Sequence, residues 1–75
     1  MDLRTYLNGL PPNEQVDFAA RCGTSLGYLR KAISINQRLG HALCVSIERE
    51  SGKRVTRQEL RTDWQQCWPE LANAA

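Results

Sequence analysis

A chain of 75 residues has room for one domain, close to the lower size at which a core folds without disulfides or a structural metal. A hydrophobic content of 41% and a charged content of 24% argue against disorder, and no apolar run approaches the ~20 residues of a membrane span. The net charge of +2 does not announce a nucleic-acid partner, and three cysteines leave no closed disulfide framework within one chain. Asp2 and Arg4 interrupt any charged-then-apolar secretion signal, so a reduced, cytoplasmic setting is expected.

The residue patterns predict an all-α chain, a compact bundle of four to five short helices. Asp2 is placed to cap a first helix in which Leu3, Tyr6, Leu7 and Leu10 recur at i, i+3, i+4 and i+7. Gly9 weakens its end and Pro11-Pro12 stops it. A second helix starts near Pro12 or Asn13, carries Glu14 and Asp17 near its positive end, turns Phe18, Ala19 and Cys22 inward and ends at Gly23. Ser25 caps a third helix that runs to about Ser34, with Leu29 and Ile33 as its apolar anchors. Residues 35–39 form a loop rich in hydrogen-bonding side chains: Asn36, Gln37, Arg38. A fourth helix follows from about Gly40, with Leu39, Ala42, Leu43, Ser46 and Ile47 in helical period, Glu48 to Glu50 facing solvent, and Gly52 just past its end. Thr56-Arg57-Gln58-Glu59 reads as a capping box for a short fifth helix ending at Leu60 or Arg61. In the tail, residues 62–75, Thr62 or Asp63 caps a last turn aligning Trp64, Trp68 and Leu71. Pro69 disrupts regular structure there, and the end frays from Ala72.

Residues 15–34 carry the most informative pattern. Small Ala19, flexible Gly23 and apolar Leu29 stand in register for a tight corner between two helices. An ordinary αα-hairpin shares these features. The outer face of the third helix adds Gly27, Arg30, Lys31 and Ser34, small or basic residues suited to a DNA groove. Gly27 costs a helix about 1 kcal/mol relative to Ala, which either close approach to DNA or crowding by a neighbouring helix explains. Arg30 and Lys31 are candidates for base contact, since such side chains reach guanine O6 and N7. Ser25, Thr24, Gln37 and Arg38 suit phosphates. Tyr28 either bonds a phosphate through its hydroxyl or closes the core with its ring; partial burial with an exposed hydroxyl is expected.

The run Gly-Thr-Ser-Leu-Gly-Tyr-Leu-Arg-Lys-Ala-Ile at 23–33, Ile-Glu-Arg-Glu-Ser-Gly at 47–52 and Val-Thr-Arg-Gln-Glu-Leu-Arg-Thr-Asp-Trp at 55–64 resemble the Cro-type repressors of temperate phages, and within them the small YdaS-like proteins of prophages and bacterial operons. In that family a Pro often stands at the place of Thr62. The resemblance implies a single lambda-repressor-like helix-turn-helix domain over 1–75, acting as a transcriptional regulator whose third helix lies in the major groove. Carried over by position, it points to Leu26, Gly27, Arg30 and Lys31 for base contacts, with Gln15 and Thr24 at phosphates. Related Cro proteins often place Gln and Ser where this chain has Leu26 and Gly27, so Leu26 either touches a thymine methyl or packs inward. The implied partner is double-stranded operator DNA, bound by a homodimer formed in solution or on the operator.

Trp64, Trp68 and Leu71 either complete the chain's own core or anchor a second subunit or another protein, as in an antitoxin-like interaction module. Lys53, Arg54, Arg57 and Arg61 form a second basic group after Gly52, whose contact with DNA the sequence leaves open; Lys53 and Arg54 read mainly as surface charge. His41 and Cys44 share a helix face, but Cys22 and Cys67 lack paired spacing and a zinc site needs about four ligands. No enzyme activity, metal, cofactor, small-molecule ligand or membrane association is expected, and Cys22 and Cys44 read as small core hydrophobes.

Overall fold

The computed structural model describes residues 1–72, so the expected frayed end lies, from residue 73 on, outside the described residues. Four helices form the body: α1 (Leu3–Asn8), α2 (Pro12–Arg21), α3 (Leu26–Ser34) and α4 (His41–Glu50). Three single turns follow: α5 (Arg57–Leu60), α6 (Trp64–Cys67) and α7 (Pro69–Ala72). The described residues are thus all-helical, with more and shorter pieces than the four to five helices expected. The last of the added pieces begins at Pro69. Proline lacks an N–H that a first helical position does not use, so Pro69 begins a turn instead of ending regular structure.

Three helix starts follow the expected chemistry, whereas Asp63, at the start of α6, gives its carboxylate to Arg61 and makes no side-chain cap bond. The Asp2 carboxylate accepts the Thr5 N–H at 2.7 Å, and Ser25 Oγ accepts the Tyr28 N–H at 3.1 Å. At α5 the capping box is complete, with Thr56 and Glu59 each bonding the other's backbone N–H. Helix ends share one device. After α2 the Gly23 N–H reaches the Ala20 carbonyl at 3.0 Å and the Thr24 N–H the Ala19 carbonyl at 3.0 Å. This double bond turns the chain back only if the residue after the cap takes a left-handed backbone, and Gly23 has φ +81°. The same pair of bonds closes α4 through Gly52 and Lys53, and α3 through Asn36 and Gln37. Asn36, at φ 54°, fills the position that glycine holds elsewhere. The loop after α3 therefore starts as an ordered helix stop.

Leu3 and Leu7 of α1, Phe18 and Ala19 of α2, Leu29 and Ala32 of α3, and Cys44 and Ile47 of α4 are buried in one cluster. Phe18 stacks obliquely on Tyr6 with ring centroids 5.1 Å apart, tying α2 to α1. Ala19 is fully buried, as a close crossing of α2 and α3 requires. Val55, in the link between α4 and α5, is also fully buried; an isolated valine among polar residues gives no periodic signal. Beside it Ser51 is buried, its hydroxyl accepting the Val55 N–H at 3.1 Å and donating to the Glu48 carbonyl at 3.2 Å. Glu48 and Glu50, expected to face solvent, are half-buried, because Glu48 receives Arg57 and Glu50 receives Arg21.

Among the described residues no helix is long and apolar enough to cross a membrane.

Candidate nucleic-acid interface

Helix α3 has two faces of different character. Leu29 and Ala32 lock one against the core, while Gly27, Lys31 and Ser34, spaced i, i+4 and i+7, form an exposed stripe on the other. Lys31 makes no ion pair with any described residue, whereas Ser34 donates its hydroxyl to the Lys31 carbonyl at 2.8 Å. Gly27 has ordinary helical backbone, and a Cβ built on it meets no other atom within 4 Å. Crowding by a neighbouring helix, one of the two explanations for this glycine, is therefore excluded among the described residues.

Two expected base contacts are placed otherwise. Leu26 is half-buried and packs against the core, since an apolar side chain in the first turn is drawn to the cluster below it. Arg30 does not point freely outward: Nη1 donates to Asn8 Oδ1 at 2.9 Å and Nη2 to Gln15 Oε1 at 3.0 Å. Arg30 thus joins the end of α1 and the start of α2 to α3. Asn8 is missed by sequence reasoning, because a contact spanning 22 positions leaves no local pattern.

Gln15, expected at a phosphate, is also consumed internally. The Gln15 amide ties the corner between α1 and α2, with Nε2 donating at 2.9 Å each to the Leu10 carbonyl and to the Leu7 carbonyl, which also accepts the Leu10 N–H at 3.0 Å. With Oε1 accepting from Arg30, its amide nitrogen and oxygen are both engaged.

The other expected phosphate contacts flank the exposed stripe. Ser25 is exposed and spends its oxygen lone pair on the α3 cap, and Thr24 is half-buried at the turn. Tyr28, expected to be partly buried, is exposed at 40% and stands outside the core cluster, with its hydroxyl accepting from Gln37 Nε2 at 3.2 Å. Arg38 lies on the loop beyond α3, largely exposed and in loose contact with Asp63 at 3.8 Å.

The second basic group divides. Lys53 and Arg54 are exposed. Arg57 bonds Glu48 through both its backbone N–H and its Nε at 3.1 Å, and its guanidinium lies 5.3 Å from the centre of the Trp68 ring. Arg61 is buried, with paired 2.9 Å bonds to both Asp63 oxygens and a third to the Leu39 carbonyl. That pairing holds the Asp63 carboxyl well below the usual carboxylate range.

The tail residues, expected either to complete the core or to anchor a partner, pack against the core. Trp68 is 8% exposed, and Trp64 and Leu71 are half-buried against the same core. A chain this short lacks enough other apolar volume to close its core, so the aromatics are drawn in. His41 does not pair with Cys44. Its ring meets Trp68 edge-on at 5.6 Å and its Nε2 lies 3.1 Å from Cys67 Sγ, while Cys44 is buried beneath. Among the described residues no group of three metal-ligating side chains comes together.

Comparison with protein-family models finds no match to this chain, and comparison with curated proteins finds none.

Proposed function

We propose that the chain is a sequence-specific DNA-binding transcriptional regulator of the Cro-like repressor kind, working in the cytoplasm, with α3 laid in the major groove of an operator. The observation that carries this reading is the open face of α3 at Gly27, flanked by Lys31 and Ser34. A helix that accepts a glycine with none of the described residues packed over it, beside a lysine that pairs with none of them, suits close approach by a surface rich in acceptors. In this reading Lys31 is the leading base contact, and Ser25, Tyr28, Gln37 and Arg38 position the backbone of the DNA. Arg30 and Gln15 set the angle between α3 and the first two helices. Two copies on a palindrome, with half-sites about 34 Å apart, give the site length that one small module lacks.

The test is selection of bound duplexes from random DNA by the purified chain. Enrichment of a two-fold symmetric motif, with binding that weakens steeply as salt rises, supports the proposal. Recovery of no shared sequence at any salt concentration overturns it.

A further inference from the structure

The tail is fastened to the loop that leaves α3. Arg61 Nη1 donates to the Leu39 carbonyl at 2.9 Å, Arg38 lies 3.8 Å from Asp63, and the His41 ring meets Trp68 edge-on. The fastening also includes a nucleophile, since Cys67 Sγ sits 3.1 Å from His41 Nε2 at a partly exposed rim. The other two thiols differ in kind. Cys22 and Cys44 lie in the core, where burial pushes both up to about 11 and keeps reagents away. Cys44 also directs its Sγ at the Leu39 carbonyl, 3.9 Å distant.

We propose that Cys67 is a modification site, a thiol oxidised by hydroperoxides with His41 as the proton acceptor, and that its oxidation opens the contact between the tail and the α3–α4 loop. The inference does not depend on DNA being the partner. In the reaction, His41 with its own proton on Nδ1 takes the thiol proton at Nε2, and the sulfur electron pair attacks one peroxide oxygen. An S–O bond forms and the O–O bond breaks. The departing oxygen takes the proton from His41 and leaves as water or an alcohol. Sulfur is oxidised by two electrons to the sulfenic acid and the peroxide is reduced by two. Oxidation removes the thiol proton that joins Cys67 to His41 across 3.1 Å and adds an oxygen to the same sulfur, so this contact is the one that is remade. His41 is the first residue of α4 and touches Trp68, so the change reaches the helix start and the tail aromatic together.

The experiment uses the whole chain, treated with limiting hydrogen peroxide and a 1,3-dicarbonyl trap for sulfenic acid, with each cysteine followed by mass spectrometry. The same protein unfolded in urea provides the reference rate for every thiol. The expected result is trapping at Cys67 and not at Cys22 or Cys44, with Cys67 reacting about tenfold faster folded than unfolded, a modest share of what a positioned base can give. His41→Gln removes that advantage. Peroxide then changes the tryptophan fluorescence of the wild type but not of Cys67→Ser. A folded Cys67 that reacts no faster than the unfolded one overturns the proposal, whether or not His41→Gln folds. Full Cys67 reactivity in a folded His41→Gln chain overturns it as well.

Discussion

The outer face of α3 and the short helices of the tail hold the two sets of side chains best suited to meet a partner, small and basic in one, aromatic and basic in the other. Their surroundings separate them. In the tail, Trp68 is 8% exposed, Arg57 is held between Glu48 and that ring, and Arg61 is buried on Asp63 and the Leu39 carbonyl. On α3, Lys31 and Gly27 face outward with nothing of the described chain upon them. Residue type nominates both regions, and internal partners occupy much of one. Aromatics and arginines in a chain of 75 residues are drawn first to a core that is short of apolar volume, so only what the core leaves over is free for recognition.

Substitutions in the two regions should therefore fail in different ways. The largest effect belongs to Trp68→Ala, which removes a buried aromatic and uncovers the Arg57 guanidinium. It should cost about 3–5 kcal/mol, read as a lower urea midpoint, which is a large part of the stability of a small domain. A midpoint within 1 M of wild type, with unchanged slope, would place Trp68 at an interface after all.

The Asp63–Arg61 contact sets the next effect, visible in acid. Because Arg61 depresses the folded Asp63 carboxyl, its contribution is fully present above the ordinary carboxylate value near 3.8 and is lost as pH falls through the lower folded value. Wild type should thus exceed Asp63→Asn in stability at neutral pH by a constant margin that narrows only below about pH 4. Melting temperatures across pH 2–8 check this, and a margin that closes near pH 6 would point to another group.

On α3 the order reverses, with function falling before stability. Lys31→Ala should leave stability within about 0.5 kcal/mol of wild type and, if α3 reads DNA as proposed, relax base preference by about 1–3 kcal/mol. Arg30→Met should instead lose about 1–2 kcal/mol of stability as its bonds to Asn8 and Gln15 go, and weaken all DNA sequences alike. Denaturation paired with binding to the selected motif and to scrambled DNA distinguishes the two, and the same profile for both variants would erase the division of roles.

The frame of the fold is legible in the sequence because its signals are local. Caps at Asp2, Ser25 and Thr56 act over three positions, and the stops at Gly23 and Gly52 depend on one residue's backbone. Asn36 escapes notice as a helix stop because asparagine serves many loop roles besides the left-handed one. The site is legible in outline only. The Gly27, Lys31, Ser34 stripe follows from helical spacing, but the capture of Arg30 by Asn8 depends on how α1 meets α3, which no spacing rule contains. Gln15 is a similar case, since its bonds to the Leu7 and Leu10 carbonyls emerge only from the corner geometry between α1 and α2. The burial of Arg61 leaves no sign in the sequence because its acceptor, the Leu39 carbonyl, lies 22 positions away.

Gly27 offers the most direct measurement. A methyl group added there has open space around it and improves helix propensity, so Gly27→Ala should raise stability by up to about 1 kcal/mol. If the α3 face is where DNA approaches, the same methyl should weaken binding to the selected operator by about tenfold, equivalent to ~1.4 kcal/mol. A variant that is more stable and binds less tightly is the expected result. A variant that is more stable and binds DNA as well as wild type would contradict a contact face at Gly27.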